Sequence, residues 1–166
     1  MALDRLFRPR SVAAIGTARE PGQVGHEVFA NLLGSGFEGP VYPVNPSAEE
    51  ILGVPAVQSI AAIDREVDLA VVVVPAPAVA GAIRECARVG VGAAVIISAG
   101  FREVGPEGAA LEREVIEVAR SAGIRLLGPN CLGVVSTAAR LNASFAKGMP
   151  PAGSISFLSQ SGALGT

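Results

Sequence analysis

The chain has 166 residues, of which 50% are hydrophobic and 17% are charged, with a formal net charge of −2. This composition is typical of a folded domain with a sizeable core and argues against disorder. Because no basic cluster is present, it also argues against a nucleic-acid partner. The longest apolar run, Leu69 to Ala80, contains two prolines and is too short to cross a bilayer.

Signals for export and for metal binding are missing from the sequence. The first residues lack the basic start and apolar stretch of a signal peptide, so we expect a cytoplasmic protein without a membrane partner. Cys86 and Cys131 have no partner at ligand spacing, and His26 is the single histidine. We therefore expect neither a disulfide framework nor a metal site.

The first predicted strand leads into a glycine-containing loop. Val12–Ile15 is a short, fully apolar run, which predicts a buried parallel strand. Gly16, Gly22 and Gly25 follow, and apolar residues then recur at helical spacing up to Gly34. A strand, a glycine loop and a helix in this order leave backbone N–H groups at a helix N-terminus, where they can hold a phosphate.

Four further strands are predicted along the chain. Val41–Asn45 is the second, and Pro43 within it favours an edge position or a strand end. Residues 46–67 carry mixed signals, for which we expect a loop with a short helical turn or strand. The other strands are expected at Asp68–Val74, Ala93–Ser98 and Ile124–Leu127, separated by helices over 78–89 and Pro106–Ala122.

This alternation predicts an α/β fold, doubly wound, with an open and mainly parallel sheet of about five or six strands and helices on both faces. Ligands of such sheets bind outside the carboxyl ends of the strands. The loops to inspect therefore follow Ile15, Val44, Val74, Ile97 and Leu127, and all are rich in small residues or proline.

The pattern changes after Val135. Residues 136–152 have the composition of a linker, Ser154–Leu158 predicts a new strand, and residues 159–162 predict the turn into a helix. We therefore expect one domain over residues 1–136, a linker over 137–152 and the start of a truncated second domain over 153–166.

The glycine spacing alone does not identify a cofactor. It is looser than the G-x-G-x-x-G pattern, and glycines needed only for packing are the alternative. An NAD site also has an acidic residue at the end of the second strand, where this chain has Asn45 and Pro46. An NADP site favours a nearby arginine, and none lies between Arg19 and Arg65. Nicotinamide cofactors are therefore disfavoured.

Six segments in order along the chain carry a family likeness: Leu6–Gly16, Val41–Pro46, Asp68–Pro75, Ile96–Phe101, Leu127–Gly133 and Ser159–Gly165. Together they resemble the NDP-forming acyl-CoA synthetases, which include ADP-forming acetyl-CoA synthetase and the α-subunit of succinyl-CoA synthetase. The resemblance covers nearly the whole chain and implies a Rossmann-like domain that binds coenzyme A or acyl-CoA.

The resemblance also implies which residues line the ligand. The phosphates of CoA would lie against Gly16, Thr17, Ala18, Gln23, Val24 and Gly25. Arg19, in the same loop, is either a phosphate partner or a solvated charge. The adenosine end would lie near Asn45 and Pro46, and the nucleotide and pantetheine near Val74, Pro75 and Ala76. The pantetheine arm would follow Ser98, Ala99 and Gly100, and the thioester end would lie near Asn130 and Cys131.

The family reaction implied is acyl-CoA + NDP + phosphate ⇌ acid + NTP + CoA, through an acyl phosphate and a phosphohistidine. The resemblance places that histidine beyond Thr166, and we expect His26 to be a partly exposed residue at a helix start. Cys131 has no base beside it in sequence, and Glu103 and Glu107 are expected as solvated charges. We therefore expect binding without turnover and no catalytic residue, with an ATP-grasp domain or β-subunit as partner.

Three hypotheses remain open. The chain is the CoA-binding domain of an NDP-forming acyl-CoA synthetase, a stand-alone CoA-binding module with a regulatory or carrier role, or a nicotinamide-dependent oxidoreductase domain. The start of another domain at Ser159–Thr166 favours the first over the second.

Overall fold

A computed structural model describes residues 3–162 of the chain. The helices and strands, in chain order, are α1 (Asp4–Phe7), β1 (Val12–Ile15), α2 (Val24–Gly34), β2 (Val41–Val44), β3 (Glu50–Ile51), β4 (Val54–Pro55), β5 (Leu69–Val72), α3 (Ala76–Arg88), β6 (Ala93–Ile96), α4 (Pro106–Ser121), β7 (Arg125–Leu127), β8 (Gly133–Ser136) and β9 (Leu141–Ser144).

Five of these strands form one parallel sheet in the order β2-β1-β5-β6-β7. The three central strands, β1, β5 and β6, are uninterrupted runs of apolar residues, which suits a sheet buried on both faces. The doubly wound α/β fold predicted from the sequence is thereby confirmed. Pro43 lies in β2, which is an edge strand, so the sheet does not need the N–H that proline lacks.

Alternate residues of each strand point to opposite faces, so the sheet separates two hydrophobic cores. Ala13 and Ile15 of β1 contribute to the core that holds α3 and α4. Val12 and Ala14 contribute to the core on the other face, which holds α1 and α2. Helices cover both faces, as the sequence predicts, and no described helix is long and apolar enough to span a membrane.

Strands β8 and β9 form an antiparallel hairpin that the sequence analysis did not predict. All four residues of β9 are buried, and the hairpin packs on α2. Asn31 of α2 donates from Nδ2 to the carbonyl oxygens of Ser144 (2.8 Å) and Ala146 (2.9 Å). In place of the linker expected over residues 137–152, the chain up to Ser144 is therefore part of the folded unit; the domain division itself stays a prediction.

The strand predicted at Ser154–Leu158 is not formed. Residues 151–161 adopt neither helix nor strand, and Ile155, Phe157 and Leu158 are 93%, 72% and 90% exposed. A strand requires a neighbour to pair its backbone groups, and none lies beside this segment in the described chain. The last residues of the predicted helix start, 163–166, lie outside the described residues.

Candidate ligand site at the carboxyl rim of the sheet

Five loops meet where the parallel strands end, and we call this edge the carboxyl rim: residues 16–23, 45–49, 73–75, 97–101 and 128–132. The direction of winding reverses between β1 and β5, so α2 leaves toward one face and α3 toward the other. The crevice at such a switch point is where open α/β sheets bind ligands. Every predicted site residue lies in these loops or in the first turn of α2 or α3.

Two glycines allow α2 to begin directly against the end of β1. Gly16 has a φ of +87°, and a Cβ there would lie 2.7 Å from the carbonyl oxygen of Val73 and 2.8 Å from Cγ1 of Val74. A Cβ at Gly25 would overlap the carbonyl oxygen of Gly16. Gly22 shares the φ of +87° but has open space around it, so only its backbone conformation requires glycine. Packing therefore accounts for Gly16 and Gly25, alongside any ligand role.

The glycine loop presents backbone donors that the protein leaves free. Within residues 3–162, the N–H groups of Thr17, Ala18 and Arg19 have no protein acceptor. The same holds for Val24 and Gly25, which open α2. Free N–H groups at the positive end of a helix dipole favour an anionic ligand. This end of the rim is therefore suited to a phosphate.

Two side chains connect the glycine loop to the turn after β2. Asn45 donates from Nδ2 to the carbonyl oxygen of Thr17 (2.7 Å), and its Oδ1 accepts the N–H of Ser47 (2.8 Å). Arg19 donates from Nη2 to the carbonyl oxygen of Ser47 (3.3 Å) and has no carboxylate partner in the described part of the chain. Its other guanidinium donors are available to an anion. At the position where an NAD site has a ribose-binding acid, this chain uses an amide to join two loops.

Contacts between loops continue along the rim. A Cβ at Gly100, whose φ is +103°, would lie 3.1 Å from Cβ of Ala76. The N–H of Asn130 donates to the carbonyl oxygen of Ser98 (2.9 Å). The structure thus brings the predicted residues into one continuous row, and those with exposed side chains are Arg19, Gln23, Val24, Pro46, Pro75, Ala99 and Asn130.

Cys131 ends this row as a half-buried thiol. Its Sγ donates to the carbonyl oxygen of Ile96 (3.3 Å), and burial raises its pKa to about 11. The thiol is therefore protonated at neutral pH, which argues against a nucleophilic role. Among the described residues, no group of three or more His, Cys, Asp or Glu side chains is arranged to hold a metal ion.

His26 is buried, and the expectation of a partly exposed side chain is wrong. The residue is 9% exposed, and its buried Nδ1 lies 3.5 Å from Oε1 of Glu27 without a hydrogen-bond partner among the described residues. The Glu27 carboxylate accepts the N–H of Gly22 (3.0 Å), and this bond is the main cause of its lowered pKa. A glutamate thus stabilises the turn in the glycine loop.

Glu103 is exposed, as the sequence suggests, and its carboxylate also accepts backbone hydrogen bonds. Its Oε1 accepts the N–H groups of Gly100 (2.5 Å) and Phe101 (3.0 Å) in the loop after β6. The spacing Gly-x-x-Glu was the available signal, because it resembles the capping box, in which a glutamate reaches back to a backbone N–H three residues earlier.

A doubly wound α/β domain that combines free N–H donors at its switch point with a row of small residues belongs to the class of nucleotide-type ligand-binding domains. Within that class, the chain belongs to the CoA binding domain family, whose model matches residues 10–137.

The likeness to the NDP-forming acyl-CoA synthetases is confirmed. The chain is 51% identical over 161 residues to acetate–CoA ligase [ADP-forming] I of Archaeoglobus fulgidus, covering 97% of this chain and 23% of the ligase. It is 47% identical over 163 residues to the α subunit of acetate–CoA ligase [ADP-forming] II of Pyrococcus furiosus, covering 98% of this chain and 35% of the subunit.

Solved structures agree with this assignment. The apo form of acetyl-coenzyme A synthetase 1 from Ca. Korarchaeum cryptofilum superposes with a TM-score of 0.93 and is 43% identical, over 98% of this chain and 35% of that one. The Rossmann-like fold is therefore shared with this family. The chain spans 23% and 35% of the length of the two curated relatives.

Proposed function

We propose that the chain binds coenzyme A along the carboxyl rim, as the CoA-binding part of an NDP-forming acyl-CoA synthetase. The phosphates lie against the glycine loop and the start of α2, and the pantetheine arm runs past the ends of β5 and β6 toward Asn130 and Cys131. The proposal rests on one observation: the free backbone donors at Thr17–Arg19 lie directly beside the row of small residues on the carboxyl rim.

The chemistry of CoA fits this arrangement. Its nucleotide end carries several negative charges, whereas its arm is long, neutral and contains amides. Free N–H groups and the guanidinium of Arg19 suit the charged end, and the small residues Ala76, Ser98 and Ala99 leave room for the arm. Three strand spacings separate β1 from β7, or about 14 Å. The arm must cover a distance of this order to bring its thiol to Cys131.

A nicotinamide dinucleotide fits less well. The side chain of Asn45 is committed to Thr17 and Ser47, and no carboxylate follows β2 to receive a ribose diol. CoA has no such requirement.

The reaction of the whole synthetase, with its acyl group, its nucleotide and its ATP-grasp domain or β-subunit, is proposed for the longer protein only. A phosphohistidine beyond residue 166, the start of a second domain at residues 153–166 and the cytoplasmic location all stay predictions. Because Cys131 is protonated at neutral pH, this chain offers no activated nucleophile at the thiol end. We therefore expect it to bind CoA without forming ATP from acyl-CoA, ADP and phosphate.

Calorimetric titration of the purified chain with CoA, dephospho-CoA and NAD tests the proposal. Saturable heat with CoA and none with NAD is expected. Dephospho-CoA is expected to retain part of the affinity, since the diphosphate and the arm remain. Binding of NAD as tight as that of CoA, or no binding of CoA, would overturn the assignment.

A further inference from the structure

Three consecutive N–H groups in the loop after β6 already have carboxylate acceptors. Those of Gly100 and Phe101 both donate to Oε1 of Glu103, at 2.5 Å and 3.0 Å. The next, from Arg102, donates to Oε2 of Glu112 at 3.3 Å. Adjacent N–H groups directed at one oxygen form an anion-binding arrangement. In this loop the protein fills that arrangement with its own side chains.

Packing fixes the same loop from below. Phe101 is fully buried in the core beneath α3 and α4, and its carbonyl oxygen lies so close to Gly108 that a Cβ there would overlap it. Glu112 is 7% exposed and pairs with Nη2 of Arg102 at 2.5 Å. The side chains of Ser98 and Ala99 are outside this network of carboxylates and remain on the carboxyl rim.

The loops after β1 and β6 therefore differ in electrostatic character. The N–H groups of Thr17, Ala18 and Arg19 are free, whereas those of Gly100 and Phe101 are satisfied by a negative charge. An anion is favoured at the first loop and disfavoured at the second. A ligand that is charged at one end and neutral at the other is therefore favoured in one binding orientation.

We propose that Glu103 is a positioning residue for coenzyme A. Its carboxylate holds the Ser98–Gly100 segment in the shape that receives the neutral pantetheine arm, and its negative charge disfavours the binding of anions to this segment. This inference rests on the proposed function. It adds a role for a residue that does not itself contact the ligand. The N–H groups of Gly100 and Phe101 lower the pKa of Glu103, so the carboxylate is charged at neutral pH.

The test compares Glu103→Ala and Glu103→Gln with Glu107→Ala. Glu107 is the matched control, because it is an exposed glutamate in the first turn of α4 without a side-chain hydrogen bond or ion pair in the described chain. Each variant is titrated with CoA and with adenosine 3′,5′-bisphosphate, which keeps the 3′-phosphate and one 5′-phosphate of CoA but lacks the arm. A purely structural defect would weaken both ligands together.

We expect Glu103→Ala to lower the affinity for CoA about tenfold, since the segment that receives the arm loses its support. The affinity for the bisphosphate is expected to stay within about twofold of wild type. Glu103→Gln retains an acceptor oxygen and is expected to recover part of the loss. Equal CoA affinity in wild type and Glu103→Ala, or equal losses for both ligands, overturns the role of Glu103. Failure of wild type to bind CoA overturns the proposed function instead.

Amide hydrogen exchange of the unaltered chain gives a second, independent test. The amides of Gly100 and Phe101 are expected to exchange more slowly than that of Ala99, which has no acceptor among residues 3–162. Exchange of all three at the same rate contradicts the proposal even where a variant fails to fold.

Discussion

At the scale of single residues, steric requirements could be predicted from the sequence more readily than side-chain contacts. Gly16 and Gly25 stood out as part of a strand, glycine-loop, helix pattern, with packing as the alternative to a phosphate role, and the structure shows that neither position has space for a Cβ. The burial of His26 depends on the direction of its side chain, which neighbouring residues in sequence do not determine. The contact of Glu103 with Gly100 and Phe101 had a local signal in the Gly-x-x-Glu spacing, but that spacing does not by itself identify the bonds.

Replacement of Gly25 by alanine is expected to destabilise the fold and to weaken CoA binding. The added Cβ overlaps the carbonyl oxygen of Gly16, so α2 must move away from β1, at a cost of about 1–3 kcal/mol in the free energy of unfolding. Gly81→Ala is the control, since that glycine is exposed in α3 with open space around it, and alanine there is expected to stabilise by up to about 1 kcal/mol. Urea unfolding measures both, and equal effects would contradict the close packing at Gly25.

Alkylation of Cys131 is expected to be slow in the folded chain. Burial raises its pKa to about 11, so the reactive thiolate is scarce at pH 8 and increases as the pH approaches that value. Against the urea-unfolded chain, whose thiol has a pKa near the ordinary value of 9.0, we expect a rate about 100-fold lower. The Cys86→Ala variant, treated with iodoacetamide, reports Cys131 alone. A folded rate within about fivefold of the unfolded one would show that the thiol is activated.

At the scale of elements, the predicted strands and helices were found because continuous apolar runs and helical spacing are local signals. The β8–β9 hairpin was missed because its buried strand includes polar residues. Asn142 and Ser144 are each 1% exposed, and Oγ of Ser144 donates to Oδ1 of Asn142 (2.6 Å). The partners of this buried pair are local, since Nδ2 of Asn142 donates to the carbonyl oxygens of Ala146 (3.2 Å) and Gly148 (2.8 Å). In the sequence alone, a segment of this polar composition indicates a loop.

Asp68 connects the segment before β1 to the start of β5. Its Oδ2 accepts the backbone N–H of Arg10 (2.8 Å) and the Nε of the same residue (3.0 Å). We expect Asp68→Ala to lower the free energy of unfolding at pH 7 by about 2–3 kcal/mol, because the N–H donors of Arg10 are left without the buried carboxylate that accepts their hydrogen bonds. Asp64→Ala, at an exposed position without a described side-chain hydrogen bond or ion pair, is the control and should change stability by less than about 0.5 kcal/mol.

The Asp68 effect also depends on pH. Arg10 lowers the folded pKa of Asp68 below 3.8, so the stabilisation is present above that unfolded value and is lost as the pH falls through the folded pKa. The difference between wild type and Asp68→Ala should therefore be constant from pH 5 to 8 and shrink in more acidic solution. A difference that grows on acidification would contradict this sign.

At the scale of the whole molecule, the carboxyl rim has free donors and Arg19 in the loop after β1 and internally paired carboxylates in the loop after β6. The sequence indicated which loops would meet there, because the carboxyl ends of parallel strands lie at one edge. It did not indicate this difference in charge, since it arises from Glu103 and Glu112 reaching a loop that precedes both of them in the chain.

The exposed apolar residues after residue 150 are expected to be dispensable for this fold. Combined replacement of Ile155, Phe157 and Leu158 by serine should change the melting temperature by less than about 2 °C and reduce concentration-dependent association, because these side chains lie in solvent. Leu32→Ala, on the buried face of α2, is the contrasting control and should lower the free energy of unfolding by about 2–5 kcal/mol. Differential scanning calorimetry and light scattering provide the readouts. A fall of more than about 5 °C in the triple variant would show that the segment supports the domain.

A crystal of the chain grown or soaked with coenzyme A provides the most direct measurement. Density is expected along the carboxyl rim, with the diphosphate at the N–H groups of Thr17–Arg19 and the arm passing Ser98 and Ala99 toward Cys131. An empty rim at saturating CoA, or a ligand whose phosphates lie beside Glu103, would contradict it.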